Sequence, residues 1–370
     1  MKVGKCTSAM KMKQAITVRH PRDLTAAWAQ RIVAQHAAGA TVARVAVLAT
    51  EVGTTTRVRI AVEHNGPETL PRRWFVKLPS LSWRARWITA LPQLLQTEVR
   101  FYQEMTQSVP LSQPVMLAAQ SRLGWGATLV LADVTEHGAV PGAPGDALTA
   151  SQAAAVVEQL ARLHAQFWCE ASLDHELLWL AGPVRQLEDQ LGAALAVPLM
   201  LWGLRRAGSA VPKALHARAV VYARRRRQVM RFLEDGPHTL VHHDTHPGNL
   251  FWQKVQPGLL DWQLVRIGEG IGDIAYFLAT ALSPETRRTH EPHLLAWYQQ
   301  CLADQGITGL DSTMLWQRYR AHLMYPFEAM VATLAVGGLM ALKSNLELIR
   351  RTAAAVADHD AFAAIPVRGA

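Results

Sequence analysis

Apolar residues in the first third of the chain alternate with polar ones or gather in short runs, as strands require. Val45-Ala46-Val47-Leu48, then Val58, Ile60 and Val62 at every second position, then Trp74-Phe75-Val76-Lys77-Leu78 predict three strands. Small residues from Glu51 to Thr56 separate the first two, and Asn65-Gly66-Pro67 separates the second from the third, so they read as an antiparallel sheet. Leu94, Leu95, Val99, Phe101 and Tyr102 cluster around Glu98 in a helical pattern, and Leu129-Val130-Leu131 predicts one more buried strand. Gly138 to Gly145 then holds three glycines and two prolines, a composition that marks a linker.

Beyond that point the period changes. Thr149 with Gln152 three residues later resembles a capping box, and Val156, Leu160, Leu163 and Phe167 follow at helical spacing. Only Leu240 to Trp262 returns to short strands and loops, and from about Pro284 the pattern is helical again. The expected fold class is α+β in two lobes: a small β-rich N-lobe over residues 1–135 and a larger, mainly helical C-lobe over 136–370. Neither an internal repeat nor a long low-complexity segment interrupts this order.

Composition narrows the class. At 370 residues the chain fits about two domains of ~150 residues. Half of it is hydrophobic and 18% charged, enough to bury real cores and to exclude intrinsic disorder for most of its length. Cys6, Cys169 and Cys301 are too few and too scattered for a disulfide framework, and Cys169 reads as an inert buried thiol. Met1 to Arg19 lacks the apolar core of a signal peptide, and stretches such as Ala329 to Leu342 fall short of the roughly 20 apolar residues that span a bilayer. A soluble, cytoplasmic protein with no membrane partner is expected.

The net charge of +9 raises the question of nucleic acid. Much of the excess lies between Arg205 and Arg231, with Arg224 to Arg227 consecutive in a helical context set by Val220, Val221, Val229, Met230 and Phe232. Four arginines in a row fan around a helix. With no nucleic-acid motif and few interleaved aromatics, a solvated helix face is the expectation, not a nucleic-acid groove.

The candidate chemistry is concentrated in Leu240 to Trp252, where polar, metal-capable residues are packed between apolar runs, and in Leu259-Leu260-Asp261-Trp262-Gln263. Asp244, Asn249 and Asp261 supply hard oxygen ligands, suited to Mg²⁺ on phosphate oxygens more than to zinc. His242, His243 and His246 leave a zinc-dependent hydrolase open, but no second histidine motif supplies its missing ligands.

His-x-Asp-x-x-x-x-Asn at His242 to Asn249, followed about a dozen residues later by an apolar run ending in Asp261, resembles the aminoglycoside phosphotransferase and choline kinase superfamily. Lys77, Glu98, the Leu160-Ala161-Arg162-Leu163-His164 run and Gly272-Asp273-Ile274-Ala275-Tyr276 fall in the same order, so the resemblance extends over roughly Leu24 to Leu342. It implies a protein-kinase-like bilobal fold and transfer of the γ-phosphate of ATP or GTP, with Mg²⁺, to a hydroxyl of a small molecule. Asp244 would orient or deprotonate that hydroxyl, and Asn249 and Asp261 would hold magnesium. Lys77 would touch the α- and β-phosphates and be anchored by Glu98. The backbone from Leu131 to Asp133 would meet the adenine edge, Asp273 would brace the catalytic loop, and His242 and His246 would support it. The phosphate-covering turn departs from the family in holding a single glycine, Gly53, and His243 stands where many relatives have glycine.

A catalytically silent, nucleotide- or small-molecule-binding member of the fold is the alternative; a role for Asp244 speaks against it. Acceptor choice is expected to fall to Leu178 to Asp235 and the C-terminal helices. The basic Arg205 to Arg231 stretch argues against a polycationic aminoglycoside on that face, and leaves a sugar, a lipid-like alcohol, a macrolide or another hydroxyl compound open.

Overall fold

Strand alternation decides what faces the cleft. In the computed structural model, which describes residues 15–82, 93–122, 126–169, 178–180 and 182–365, five antiparallel strands form one sheet in the order β1-β2-β3-β5-β4. They are β1 (Val42–Val52), β2 (Thr55–His64), β3 (Arg73–Pro79), β4 (Met116–Arg122) and β5 (Gly126–Ala132). Val58, Ile60 and Val62 of β2, with Trp74, Val76 and Leu78 of β3, are buried against Trp28, Ile32 and Val33 of α1 (Ala26–His36). Each such side chain contributes about 1.5–3 kcal/mol when fully buried. A one-residue slip would drive Arg57, Arg59 and Lys77 into that core, so the register is strongly specified. Residues of the opposite parity, Arg57, Arg59, Phe75 and Lys77, therefore line the cleft.

Helix α2 (Leu94–Glu104) covers the other side of the sheet. Its Val99, Phe101 and Tyr102 join the larger core, and Phe101 stacks on Trp262 at 4.1 Å. Two elements escape the sequence pattern. Helix α1 is short, and β4 is diluted by small and polar residues.

The helical lobe begins with α3 (Ala150–Gln166), whose Thr149 and Gln152 form the capping box that the sequence suggests. Then come α4 (Pro183–Ala207), α5 (Lys213–Arg224) and α6 (Arg226–Leu233). The arginine run is not one helix: the chain turns at Arg225, and Arg226 points inward to Glu328 at 2.6 Å. The expected solvated face is thus broken at Arg226, because a carboxylate from a distant helix supplies its partner. Cys169 also differs from expectation, being exposed at a left-handed turn (φ 49°). Cys6 lies outside the described residues.

The segment that carries Asp244, Asn249 and Asp261 is built from short strands. β7 (His238–Val241) pairs with β10 (Arg266–Glu269), a strand too short and too polar to announce itself. β6 (Val140–Pro141), β8 (Leu250–Gln253) and β9 (Gln256–Leu259) form a second small sheet. The glycine- and proline-rich segment is thus more than a tether. Gly142 donates to the Leu250 carbonyl at 2.9 Å, and a Cβ on Gly142 would sit 2.3 Å from the Pro247 carbonyl oxygen. Only glycine lets the two backbones approach so closely.

Helix α7 (Gly270–Ala281) is buried along nearly its whole length and carries Asp273 and Tyr276 to the site. α8 (Pro284–Asp304), α9 (Ser312–His322), α10 (Met324–Val336) and α11 (Leu342–Asp358) complete the lobe. Among the described residues no helix is long and apolar enough to cross a membrane.

Candidate active site

A cavity of about 540 Å³ opens between the sheet and the helical lobe. One wall comes from β2, β3 and the turn before β2; the other comes from the 242–249 loop, the 141–144 segment, α10 and the start of α11.

Asp273 organises the loop. Its two carboxylate oxygens accept from the backbone N–H of His242 and His243, each at 2.7 Å, and its carbonyl accepts from Thr245 Oγ1 at 2.9 Å. Behind it, His164 lies 3.4 Å from the Asp273 carboxylate and 3.0 Å from the Tyr298 hydroxyl. His242 lies 2.9 Å through Nε2 from the Leu260 carbonyl and accepts the Asp244 N–H at Nδ1, which assigns its neutral tautomer. His243 is held at φ 68°, a left-handed conformation that favours glycine, and its ring stacks on Tyr325 at 4.0 Å. His246 Nδ1 accepts from Gly248 N–H, and its Nε2 lies 3.8 Å from Asp244. The three histidines therefore turn to different partners, and no cluster of three His, Cys, Asp or Glu gathers as a metal site among the described residues.

Asp244 is fixed at both oxygens. Oδ1 accepts from the Tyr276 hydroxyl at 2.6 Å and Oδ2 from the Asn249 amide at 2.9 Å. Burial, then the Asp244 charge, pushes the Tyr276 phenol well above its usual range, so it stays a donor. Each carboxylate oxygen retains a second lone pair for a further donor. The Asn249 amide nitrogen is spent on Asp244, which leaves its Oδ1 free among the described residues.

Lys77 donates to both oxygens of Glu98 at 2.8 and 2.9 Å, and its Nζ lies 3.1 Å from Asp261 Oδ1. Glu98 also accepts the Trp262 N–H at 3.2 Å and lies 3.4 Å from the Gln263 amide. One carboxylate thus ties the sheet to the loop that carries Asp261. Burial alone favours a neutral Lys77, but Asp261 and Glu98 outweigh it and hold the ammonium above the ordinary lysine range. Burial pushes the Glu98 carboxyl up to about 7 against the pull of Lys77. Burial opposes ionisation of Asp261 too, yet Lys77, with help from Arg57, holds it below its ordinary value. Of the two carboxylates sharing Lys77, Asp261 is the more firmly ionised. Its buried Oδ1 makes no hydrogen bond of good geometry, and its backbone is left-handed at φ 63°. An anionic Asp261 oxygen left without full hydrogen bonding, with the Asn249 amide oxygen lining the same cavity, is a donor pair that fits a hard divalent cation.

At the sheet edge Asp133 is buried, caps Thr135 N–H at 3.0 Å and lies 3.5 Å from Arg59. The amides of Ala132 and Asp133 are already bonded to Val115 and Arg73, and Leu131 sits inside the sheet ladder. Polar backbone in this stretch is mostly committed. Gly53 donates to Thr55 and accepts from Ser80 Oγ, while its neighbours Glu51 and Thr54 line the cavity. A Cβ there would meet nothing closer than 3.6 Å, so the turn does not require glycine.

Two arginines at the site were not singled out in the sequence, and Tyr276 stood in a quoted motif with no role of its own. Arg57 pairs with Lys77 in the strand register and reaches Glu51 at 3.3 Å; Arg59 lies over Phe75; the Tyr276 hydroxyl holds Asp244. The two arginines alternate with Val58 and Ile60, which places them opposite the core, but nothing local says that this face borders a cleft.

The model of the phosphotransferase enzyme family (APH) matches residues 54–313. The chain belongs to that family of kinase-like enzymes acting on small molecules. A search of curated proteins finds no match. Among solved structures, the chain is similar to macrolide 2'-phosphotransferase MphH of Brachybacterium faecium, at 15% identity over 92% of this chain and 99% of that one, with a TM-score of 0.41. It is similar to an ethanolamine kinase of Plasmodium vivax, at 11% identity, covering 85% and 81% of the two chains, TM-score 0.48. A GDP complex of aminoglycoside 2'-phosphotransferase-IIIa is similar at 13% identity, 89% and 98% coverage, TM-score 0.48. Likeness at this level says nothing about the substrate.

Proposed function

We propose that the protein transfers the γ-phosphate of ATP or GTP, with Mg²⁺, to a hydroxyl of a small molecule. The observation that carries this reading is the convergence in one cleft of a clamped carboxylate, Asp244, with the buried Lys77–Asp261 pair 3.1 Å apart. Asn249 and Asp261 would hold magnesium, which when bound supplies charge neutralisation on the phosphate oxygens. Asp244, oriented by Tyr276 and Asn249, accepts the hydrogen bond of the acceptor hydroxyl and aligns its oxygen for attack. Lys77 presents its ammonium to the donor phosphates while Glu98 fixes its direction. Arg57 stands on the same face and provides a second cation where the single-glycine turn offers few backbone donors. Phe75 and Leu131 offer an apolar slot to a purine.

The test is nucleotide titration with and without magnesium, followed by acceptor-stimulated release of ADP or GDP. Magnesium-dependent binding with turnover abolished in Asp244→Asn supports the reading. Binding with no turnover by any hydroxyl compound favours a silent binding protein.

A further inference from the structure

We propose that the outward face of α4 rests on an anionic lipid surface. This goes beyond the phosphotransferase reading and does not depend on it.

The excess charge of the chain is gathered in one place. It holds 38 lysines and arginines against 29 aspartates and glutamates, and between Leu191 and Leu233 there are nine of the former and none of the latter. The remaining residues hold 29 of each, so the whole net charge of +9 belongs to the second half of α4 and to α5 and α6. Two of the nine are used within the fold, Arg226 by Glu328 at 2.6 Å and Arg218 by Asp360. The other seven have no ion-pair partner among the described residues, and six of them are exposed.

The same stretch leaves apolar side chains in water. Ala196, Met200, Leu204 and Ala207 form the buried side of α4, where a Cβ on Gly203 would lie 2.3 Å from the Val331 carbonyl oxygen of α10. At helical spacing the opposite side carries Leu195, Pro198, Leu201 and Trp202, and then Arg205 and Arg206, all exposed. Leu195 is 49% exposed, Leu201 44% and Trp202 60%. On α5, Val221 is 46% exposed, with Arg218 and Arg224 three residues to either side on the same face.

Leucine and tryptophan leading into a basic end is the pattern of a helix that lies in the headgroup region of a bilayer. The indole and leucines enter the boundary, and the arginines meet lipid phosphates. A nucleic-acid backbone would engage the cations but give the aliphatic side chains nothing to bury against. A lipid surface also needs no complementary groove, and this face is the ridge of a single helix. The want of a spanning stretch underlies the expectation of no membrane partner, but a helix lying on the surface needs no such stretch.

Sedimentation of the full chain with vesicles tests this, using phosphatidylcholine alone and an equimolar mixture with phosphatidylglycerol. Binding to the anionic vesicles is expected to be at least tenfold tighter, and to weaken as salt is added. Arg205→Ala should weaken it about fivefold, the worth of one basic residue near such a surface. Trp202→Ser should weaken it about tenfold or more, and Trp202→Leu much less. Leu195→Ser repeats the apolar test should Trp202→Ser unfold, which its thermal transition reports. Equal binding to both vesicles, or to neither, overturns the proposal. So does loss with Arg205→Ala but none with Trp202→Ser and Leu195→Ser, the mark of charge attraction alone. Tighter binding to a DNA duplex than to the anionic vesicles overturns it, as does a Trp202-dependent dimer in light scattering that binds no vesicle.

Discussion

The two walls of the cleft are built on opposite electrostatic plans. The wall beneath β2 and β3 holds three cations and four carboxylates in compensating pairs, among them the buried Lys77–Glu98 pair. The wall contributed by α10, the following loop and the start of α11 is apolar, with Thr333 and Ser344 as its polar side chains among the described residues. Buried charge is tolerated only where it has a partner, so Lys77 and Glu98 are intolerant of single changes, whereas the half-exposed Arg57 and Arg59 are less so. An apolar wall tolerates substitution while volume and polarity are kept. Under the proposed function the chemistry would rest on the charged wall, with Asp244 at its boundary with the apolar one.

The largest expected effect lies at that boundary. Asp244→Asn should lower phosphoryl transfer by about 10²–10⁴-fold, the usual worth of an orienting or general-base group, with MgATP affinity unchanged. Single-turnover transfer alongside calorimetry checks it, and a parallel loss of nucleotide affinity would assign Asp244 to nucleotide binding.

Lys77→Ala should cost about 3–5 kcal/mol of stability in denaturant unfolding as well as most activity, because it strands Glu98 in the interior. Pairing Lys77→Met with Glu98→Gln should recover much of that stability and none of the turnover. Recovery of both would reduce the pair to a structural role.

Arg57→Ala should weaken MgATP roughly tenfold, since a charged hydrogen bond of about 1.5–3 kcal/mol is discounted by partial exposure, and leave adenosine binding unchanged. Equal losses for the two ligands would assign Arg57 to the fold instead.

The smallest effect lies behind the apolar wall. Arg351 donates to the carbonyls of Gly145, Asp146 and Thr280 and is itself held by Glu347 at 2.8 Å, so it pins the segment that floors the cleft. Hydrogen bonds from Arg350, against a smaller burial penalty, hold the Glu347 carboxyl down at about 2. A depressed carboxyl stabilises the fold above its unfolded value of roughly 4.3 and loses that contribution as pH falls through about 2. Glu347→Gln should cost about 1 kcal/mol or less at neutral pH, with the difference from the unaltered chain vanishing during acid unfolding below about pH 4.

The sequence by itself determined what depends on neighbours in the chain. The alternation of Val58, Ile60 and Val62 set a strand with one buried face, Thr149 and Gln152 started a helix, and the spacing of His242, Asp244, Asn249 and Asp261 marked out the candidate site segment. Periodicity and capping are local, so they can be read from a line of letters. Tertiary structure alone decided which polar face became the cleft, giving Arg57 and Arg59 a cavity to line instead of solvent. It also turned Arg226 inward to Glu328, about a hundred residues away, and laid the glycine-rich segment against Pro247. The wall opposite Asp244 was decided in the same way. Met330, Thr333 and Met340 have an ordinary helix-and-loop pattern, and their meaning comes only from packing that sets them across a cavity from residues far away in the chain.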